Sequence, residues 1–215
     1  MKCILFSRPK HDDTMEYLYH YSKELIKLSE SIGITTINLE KEAANKKFVV
    51  ERIISQNPDL IIFNGHGSSR TISGHKDEIL FSCDDKNLDI LKGKIIYSLT
   101  CSSASKLGIE SVNRGALVFI GYKYDFAVGR DPDSEASPRR DKIAKFFFEP
   151  SNILSSFLIH GKTAKIAVNK AKEKMMENIS YLSMTRDFPD AIHYAPYLYG
   201  NYAGLIIRGH EEASI

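Results

Sequence analysis

The chain has 215 residues, of which 43% are hydrophobic and 26% charged, and its formal net charge is +2 at pH 7. This size and apolar content are typical of one globular domain, and the near-neutral charge does not favour nucleic acid or a membrane surface. No stretch reaches the roughly 18 apolar residues of a membrane helix, and the opening MKCILFSRPK is unlike a signal peptide. We therefore expect a single cytoplasmic domain over residues 1–215, with neither nucleic-acid nor membrane partners.

The first third of the chain alternates between strand and helix patterns. Segments with helical periodicity lie between short apolar runs, and Thr14 is a candidate N-cap for the first of these helices. Strands are predicted over residues 2–6, 34–39 and 59–66, and helices over residues 14–31 and 42–55. This alternation indicates right-handed crossovers within a parallel sheet.

The remaining two thirds continue the pattern with more turns. We expect a hairpin or loop over residues 68–82, a strand over 94–100, a helix starting at Ser102 or Ser103 and ending near 113, a strand over 116–121, and an irregular stretch over 122–140. Helices are expected over 141–148, 151–158 and 163–176, a loop over 187–196, and a last strand or short hairpin over 197–207. The predicted fold is a three-layer α/β/α sandwich around a central, mostly parallel sheet.

Two of the predicted strands end on reactive side chains. The run DLIIFNGHG delivers His66, and the run KIIYSLTCS delivers Cys101. If the strands are neighbours, the two side chains share one edge of the sheet and form a nucleophile with its general acid/base. A helix following Cys101 would favour its thiolate. The backbone N–H groups of Gly67 and Cys101 are the candidate oxyanion-hole donors.

The other cysteines and histidines give weaker signals. Cys3 has the setting of a small buried hydrophobe, and the acids beside Cys83 raise the pKa expected for its thiol. The chain has 3 cysteines and no CxxC pair, so neither a disulfide framework nor a zinc motif is expected. No metal-ligand spacing is evident for His20, His75, His160, His193 and His210. We predict no metal site and no cofactor.

Each motif also has a structural explanation. A histidine at a strand end can serve as a hydrogen-bonded structural residue, and a cysteine in an apolar strand can be inert. The segment NGHGSS is also compatible with a glycine-rich anion loop, although no Lys-Ser or Lys-Thr follows it.

At His66-Gly67 and Cys101-Ser102-Ser103 the sequence resembles the caspase-like (clan CD) cysteine peptidases, and most of all the branch of separases, gingipains and CHAT domains. Three further segments carry the resemblance: GALVFIGYKYDFAV, FLIHGKTAKIAVNKAK and YLYGNYAGLIIRG. The resemblance implies a Cys101–His66 dyad on a caspase-like sandwich, in a CHAT-type peptidase domain that hydrolyses peptide bonds without a cofactor. The QAC motif of caspases is missing, because LTCS stands there.

The resemblance extends to substrate binding and regulation. Asp125 stands where separases carry an acid that receives a P1 arginine, and the alternative explanation is a surface acid at a strand end or a helix cap. Lys123 and Arg130 are close enough in sequence to neutralise it. The loop over 129–140 resembles regulatory or self-cleaved segments, with candidate autolysis sites at Arg130, Arg139 and Arg140. The alternative is a plain solvated loop.

Together these features predict an intracellular cysteine endopeptidase that acts on protein or peptide substrates. By resemblance, it is a regulated effector in bacterial defence or cell death with a separate regulatory partner. The alternative from another class is a non-catalytic, caspase-like protein-interaction module. A Rossmann-like or flavodoxin-like binder ranks last, because FSRPKHDD after the first strand has no glycine.

Overall fold

The structure, a computed structural model, describes residues 2–131, 137–187 and 190–215. Its strands are β1 (Cys3–Arg8), β2 (Thr35–Glu40), β3 (Leu60–Asn64), β4 (Thr71–Ser73), β5 (Ile79–Ser82), β6 (Ile95–Leu99), β7 (Val118–Tyr122) and β8 (Leu205–Gly209). Its α-helices are α1 (Asp13–Tyr21), α2 (Lys23–Ser31), α3 (Lys46–Gln56), α4 (Leu107–Asn113), α5 (Ala144–Ile159), α6 (Ala164–Met184) and α7 (Ala191–Gly204).

The central sheet has six strands in the order β2-β1-β3-β6-β7-β8. All neighbouring pairs are parallel except β7 with β8. The mostly parallel sheet predicted from the sequence is therefore confirmed. Strands β4 and β5 form the expected hairpin outside this sheet.

Helices cover both faces of the sheet, because alternate residues of each buried strand point to opposite sides. One face packs against α1, α2, α5, α6 and α7, and residues such as Ile4, Phe6 and Ile62 point into it. The other face packs against α3, α4 and the hairpin, with Leu5, Ile61 and Phe63 pointing into it. The three-layer sandwich is thereby confirmed.

The predicted first helix is in fact two helices. Its N-cap is Asp12 rather than Thr14, since the Asp12 side chain accepts from the Met15 N–H. The break falls at Ser22, whose hydroxyl donates to the Leu18 carbonyl and accepts from the buried Arg8 guanidinium at 2.7 Å. This buried arginine ties the end of β1 to the junction between α1 and α2.

Helix α5 runs without interruption through Pro150, where the sequence suggested a break. Proline cannot donate to the carbonyl four residues before it. That carbonyl, on Phe146, instead accepts from the Asn178 side chain of α6 at 2.9 Å. A neighbouring helix thus supplies the missing donor.

The C-terminal prediction was wrong for residues 191–204, and residues 188 and 189 of the expected loop lie outside the described residues. We expected a loop followed by strand, but α7 covers Ala191–Gly204 and only β8 is extended. The buried positions of this helix, Ala191, Ala195, Leu198 and Asn201, are spaced three or four residues apart. This helical period was hidden by the tyrosines around it, which favour strands. Among the helices described, none combines the length and the apolar character that crossing a membrane needs.

Candidate active site

His66 lies two residues beyond the last residue of β3, in a turn that the small hairpin supports. The His66 carbonyl accepts from the Ser73 N–H at 2.9 Å, and the Ser68 N–H donates to the Thr71 carbonyl at 3.0 Å. A bridge between Gly67 and Ile72 lies between these two bonds. The hairpin therefore holds the backbone on both sides of the histidine.

Cys101 lies two residues beyond the last residue of β6. The turn is held by three buried hydroxyls, on Ser98, Thr100 and Ser103, which lie 2.8–3.1 Å from one another. Ser102, the residue after the cysteine, has a left-handed backbone with φ of 51°. A buried polar cluster thus fixes the direction in which the strand delivers the thiol.

The two turns are adjacent. Strands β3 and β6 pair in parallel, and Asn64 lies opposite Leu99 at the ends of the two strands. The turns also approach closely, because a Cβ added to Gly67 would lie 2.9 Å from the Thr100 side chain. His66 and Cys101 are therefore at equivalent positions on one edge of the sheet, as the sequence predicted. No hydrogen bond joins their side chains in the part of the chain that the structure describes.

The environment of Cys101 differs from the one expected. Burial raises the pKa of the Cys101 thiol, the Asp125 carboxylate raises it further, and the backbone amide of Phe126 acts in the opposite direction. The helix predicted to begin at Ser102 or Ser103 begins only at Leu107. The intervening residues form turns, so this helix begins six residues beyond the thiol and not directly after it.

Asp12 is a site residue that sequence reasoning missed. Its Oδ2 lies 2.7 Å from His66 Nε2, and its Oδ1 accepts from the Met15 N–H at 2.8 Å. Burial alone raises the pKa of Asp12, but the Met15 amide and the His66 imidazole together hold it below its ordinary value. An ionised carboxylate against the ring fixes both its orientation and its tautomer. The only indication of Asp12 in the sequence was its position as an acid in the turn after β1, the strand that lies next to β3.

Known structures are similar to this one in overall fold. Gingipain R, an Arg-specific cysteine proteinase, matches with a TM-score of 0.66 and 10% identity, over 100% of this chain and 47% of that one. The complex of Porphyromonas gingivalis RgpB pro- and mature domains matches with a TM-score of 0.61 and 10% identity, over 98% and 47%. A structure described only as a protease matches with a TM-score of 0.52 and 13% identity, over 99% and 48%.

This chain has a caspase-like α/β fold. It spans about half the length of the solved proteins that it matches. No protein-family profile matches it, and no curated protein sequence does. The similarity to these structures therefore lies in the fold, since the sequence identity is only 10–13%.

Two backbone N–H groups of the candidate site have no hydrogen-bond acceptor among the described residues. Gly67 and Ile72 form the non-hydrogen-bonded position of their bridge, since the flanking residues make both of its hydrogen bonds. The Cys101 N–H likewise donates to no atom of the described residues. Both N–H groups can therefore donate to a ligand oxygen, as the predicted oxyanion hole requires.

Asp125 lies in the segment that follows β7, next to the turn of Cys101. It is exposed and accepts from the Ser102 hydroxyl at 2.5 Å. The expected neutralising residues face elsewhere: Lys123 lies over the Tyr124 ring, and Arg130 donates to Thr14. Among the described residues, Asp125 therefore has no ion pair.

The other candidates are away from this edge or only partly described. Cys3 is buried in β1, where burial raises the pKa of its thiol, and burial also raises the pKa of Cys83, which follows the hairpin. In the loop over 129–140, residues 132–136 lie outside the described residues. Autolysis at Arg130, Arg139 or Arg140, on either side of these residues, stays a prediction.

Proposed function

We propose that this chain is a cysteine endopeptidase with Cys101 as nucleophile and His66 as general acid/base. The observation that carries the proposal is the register of two neighbouring parallel strands. Asn64 pairs with Leu99, and two residues later one strand delivers the imidazole and the other the thiol. The caspase-like fold supports the same assignment, since its solved neighbours are described as cysteine proteinases and proteases.

The proposed reaction proceeds in two halves. His66 takes the proton of Cys101 as the sulfur attacks the scissile carbonyl carbon. The resulting oxyanion accepts hydrogen bonds from the N–H groups of Gly67 and Cys101. His66 then protonates the leaving amine, and a thioester remains. Water attacks the thioester while giving a proton to His66, and that proton returns to the sulfur as the acid product leaves.

Asp12 is the positioning residue of this mechanism. Its Oδ2 contacts His66 Nε2 at 2.7 Å and would stabilise the imidazolium formed after proton transfer. Its Oδ1 is held by the start of α1 through the Met15 N–H. A carboxylate fixed in this way restricts the ring to the orientation needed for repeated proton transfer.

Asp125 supports a preference for a basic P1 residue. It is exposed beside the turn of Cys101 and has no ion pair among the described residues. A carboxylate in this position can bind the guanidinium or ammonium of a P1 side chain. One structural neighbour is described as Arg specific, which is in keeping with this assignment.

The site is proposed to become aligned for catalysis when a peptide substrate binds. Burial raises the pKa of Cys101, and no hydrogen bond joins it to His66 among the described residues. One solved neighbour is a complex of pro- and mature domains, which supports a regulatory protein partner. An intracellular role as an effector in defence or cell death rests only on the resemblance to CHAT domains.

The same observations favour a second candidate, a non-catalytic interaction module. A thiol with a raised pKa and no bonded base can persist in a domain that only binds proteins. The two candidates differ in whether Cys101 can form a covalent adduct with a substrate-like inhibitor.

The deciding experiment is labelling with a peptidyl-arginine acyloxymethyl ketone, followed by peptide mass mapping and by profiling of a peptide library. We expect a covalent adduct at Cys101 and cleavage after basic residues. His66→Ala should lose both, while Cys83→Ala should keep both. Absence of any adduct and of any cleavage, with correctly folded protein, would favour the interaction module.

A further inference from the structure

A cluster of metal-binding side chains overlaps the proposed catalytic pair. His11 and Asp12 lie in the turn after β1, and His66 lies in the turn after the adjacent strand β3. One ligand atom from each of these residues lies within 4.8 Å of the other two. Asp12 Oδ2 is shared, at 2.7 Å from His66 Nε2 and 3.5 Å from His11 Nε2.

Two of the three distances between ligand atoms are near those around a small cation, and the third, between the two histidines, is at most 4.8 Å and would shorten on binding. Zinc bonds of roughly 2.0–2.1 Å in a tetrahedron separate ligand atoms by about 3.3 Å. The distance from Asp12 Oδ2 to His11 Nε2, 3.5 Å, is already of this size. The distance to His66 Nε2, 2.7 Å, needs to lengthen by about half an ångström. Because His66 is 41% exposed, its side chain has room for this change.

The three side chains differ in burial, with His11 largely buried and Asp12 and His66 partly exposed. His11 is only 10% exposed, and its ring packs edge-on against the rings of His66 and His75. Asp12 and His66 are 37% and 41% exposed. The cluster thus has one immobilised ligand and two that face solvent, which provides a path for an ion and an open coordination position for water.

The geometry points to a regulatory site for a divalent transition metal, of which Zn²⁺ is the best match, at His11, Asp12 and His66. Two imidazoles and one carboxylate form a common zinc ligand set. The ion would take Nε2 of His66 and Oδ2 of Asp12, which are the two atoms that orient the proposed base. Binding would therefore occupy the base and inhibit the peptidase reversibly, without any covalent or redox step. The inhibitory part of this inference rests on the proposed function.

Direct metal binding is measured first, because it does not depend on activity. The full chain is stripped with a chelator, dialysed and titrated with Co²⁺, and the visible absorption of tetrahedral cobalt is followed before displacement by Zn²⁺. We expect 1:1 binding in the wild type and in Cys101→Ala. Binding should weaken roughly 10-fold or more in His11→Gln and in His66→Gln, since losing a ligand costs at least as much as losing an outer partner.

His11→Gln separates inhibition from catalysis, because His11 has no part in the proposed mechanism. Its peptidase activity is measured first without metal, and Zn²⁺ should lower that activity by a much smaller fraction than it lowers the wild-type activity. His160→Gln, an exposed histidine whose Nδ1 bonds the Ser156 carbonyl, is the matched control and should bind and respond as wild type does. Circular dichroism checks that each variant is folded.

The possible results are distinct. Equal cobalt affinity in the wild type and in His11→Gln, or no binding at all, overturns the site. Loss of cobalt binding in Cys101→Ala also overturns it, because the metal would then be held by the thiolate. Zinc activation of the wild type overturns the inhibitory role. Cobalt binding that depends on His11, in a chain without peptidase activity, supports the metal site and refutes only the proposed function.

Discussion

Asp12 Oδ2 lies 2.7 Å from His66 Nε2, although the two residues are 54 positions apart in the chain. The other oxygen of this carboxylate caps α1 by accepting from the Met15 N–H at 2.8 Å. One side chain thus joins the start of a helix to the proposed catalytic base. This double role makes it possible to separate the two contributions by substitution.

The first prediction concerns Asp12→Asn and Asp12→Ala. Asparagine keeps the helix cap but removes the charge, so we expect kcat to fall roughly 100-fold with little change in KM or in the free energy of unfolding. Alanine also removes the cap and should cost about 1 kcal/mol of stability in addition. Steady-state kinetics and urea unfolding test both. An asparagine variant with wild-type kcat would remove Asp12 from the mechanism.

The second prediction concerns the pH dependence of Cys101. Because burial and the Asp125 carboxylate raise the pKa of its thiol, the thiolate should form at higher pH than in an ordinary thiol. The rate of iodoacetamide alkylation should therefore reach its plateau above the pH found for glutathione. Asp125→Asn removes a negative charge, which lowers the pKa and speeds alkylation below the plateau. Cys83 in the same digest provides the control, and an identical Cys101 profile in both proteins would contradict the assignment.

The third prediction concerns the close contact between the two site turns. A Cβ at Gly67 would lie 2.9 Å from the Thr100 side chain and 3.0 Å from the Thr71 carbonyl oxygen. Gly67→Ala should therefore displace the His66 turn and lower kcat/KM on the order of 100-fold, with a loss of roughly 1–3 kcal/mol in stability.

Gly200→Ala in α7 is the matched control, because a Cβ there meets nothing within 4 Å. It replaces a helical glycine and should raise stability by up to about 1 kcal/mol without changing kcat/KM. Peptidase kinetics and thermal unfolding of the two variants make the comparison. Equal activity in both alanine variants would show that the site tolerates a shift of this turn.

The fourth prediction concerns the buried carboxylate of Asp141. It accepts from the Tyr17 hydroxyl at 2.7 Å and from the N–H groups of Ile143 and Ala144 at 2.9 and 2.8 Å. Asp141→Ala leaves these buried donors unpaired and should cost roughly 3 kcal/mol. Tyr17→Phe removes only one of the bonds and should cost about 1 kcal/mol. Urea unfolding measures both, and an equal loss in the two variants would show that the backbone bonds contribute nothing.

The sequence alone determined the sheet and the position of the proposed dyad. Each buried parallel strand appears as a short apolar run, and its carboxyl end appears as a polar turn. The positions of His66 and Cys101 at strand ends could therefore be predicted, because the apolar run and the turn after it lie within a few neighbouring residues. The sequence predicted the continuity of the helices less well. The Asn178 side chain replaces the donor that is missing at Pro150, so the helix continues there, whereas Arg8 binds Ser22 at the junction of two helices that the sequence joined into one.

Only the tertiary structure decided the contacts between distant turns. Asp12 reads in the sequence as one acid among several polar residues, and its approach to His66 follows from β1 lying next to β3. The ionisation of Cys101 likewise depends on how deeply its turn is buried and on a carboxylate 24 residues later. Strand order, burial and cross-strand register are properties of the whole packed sheet, so no local pattern could express them.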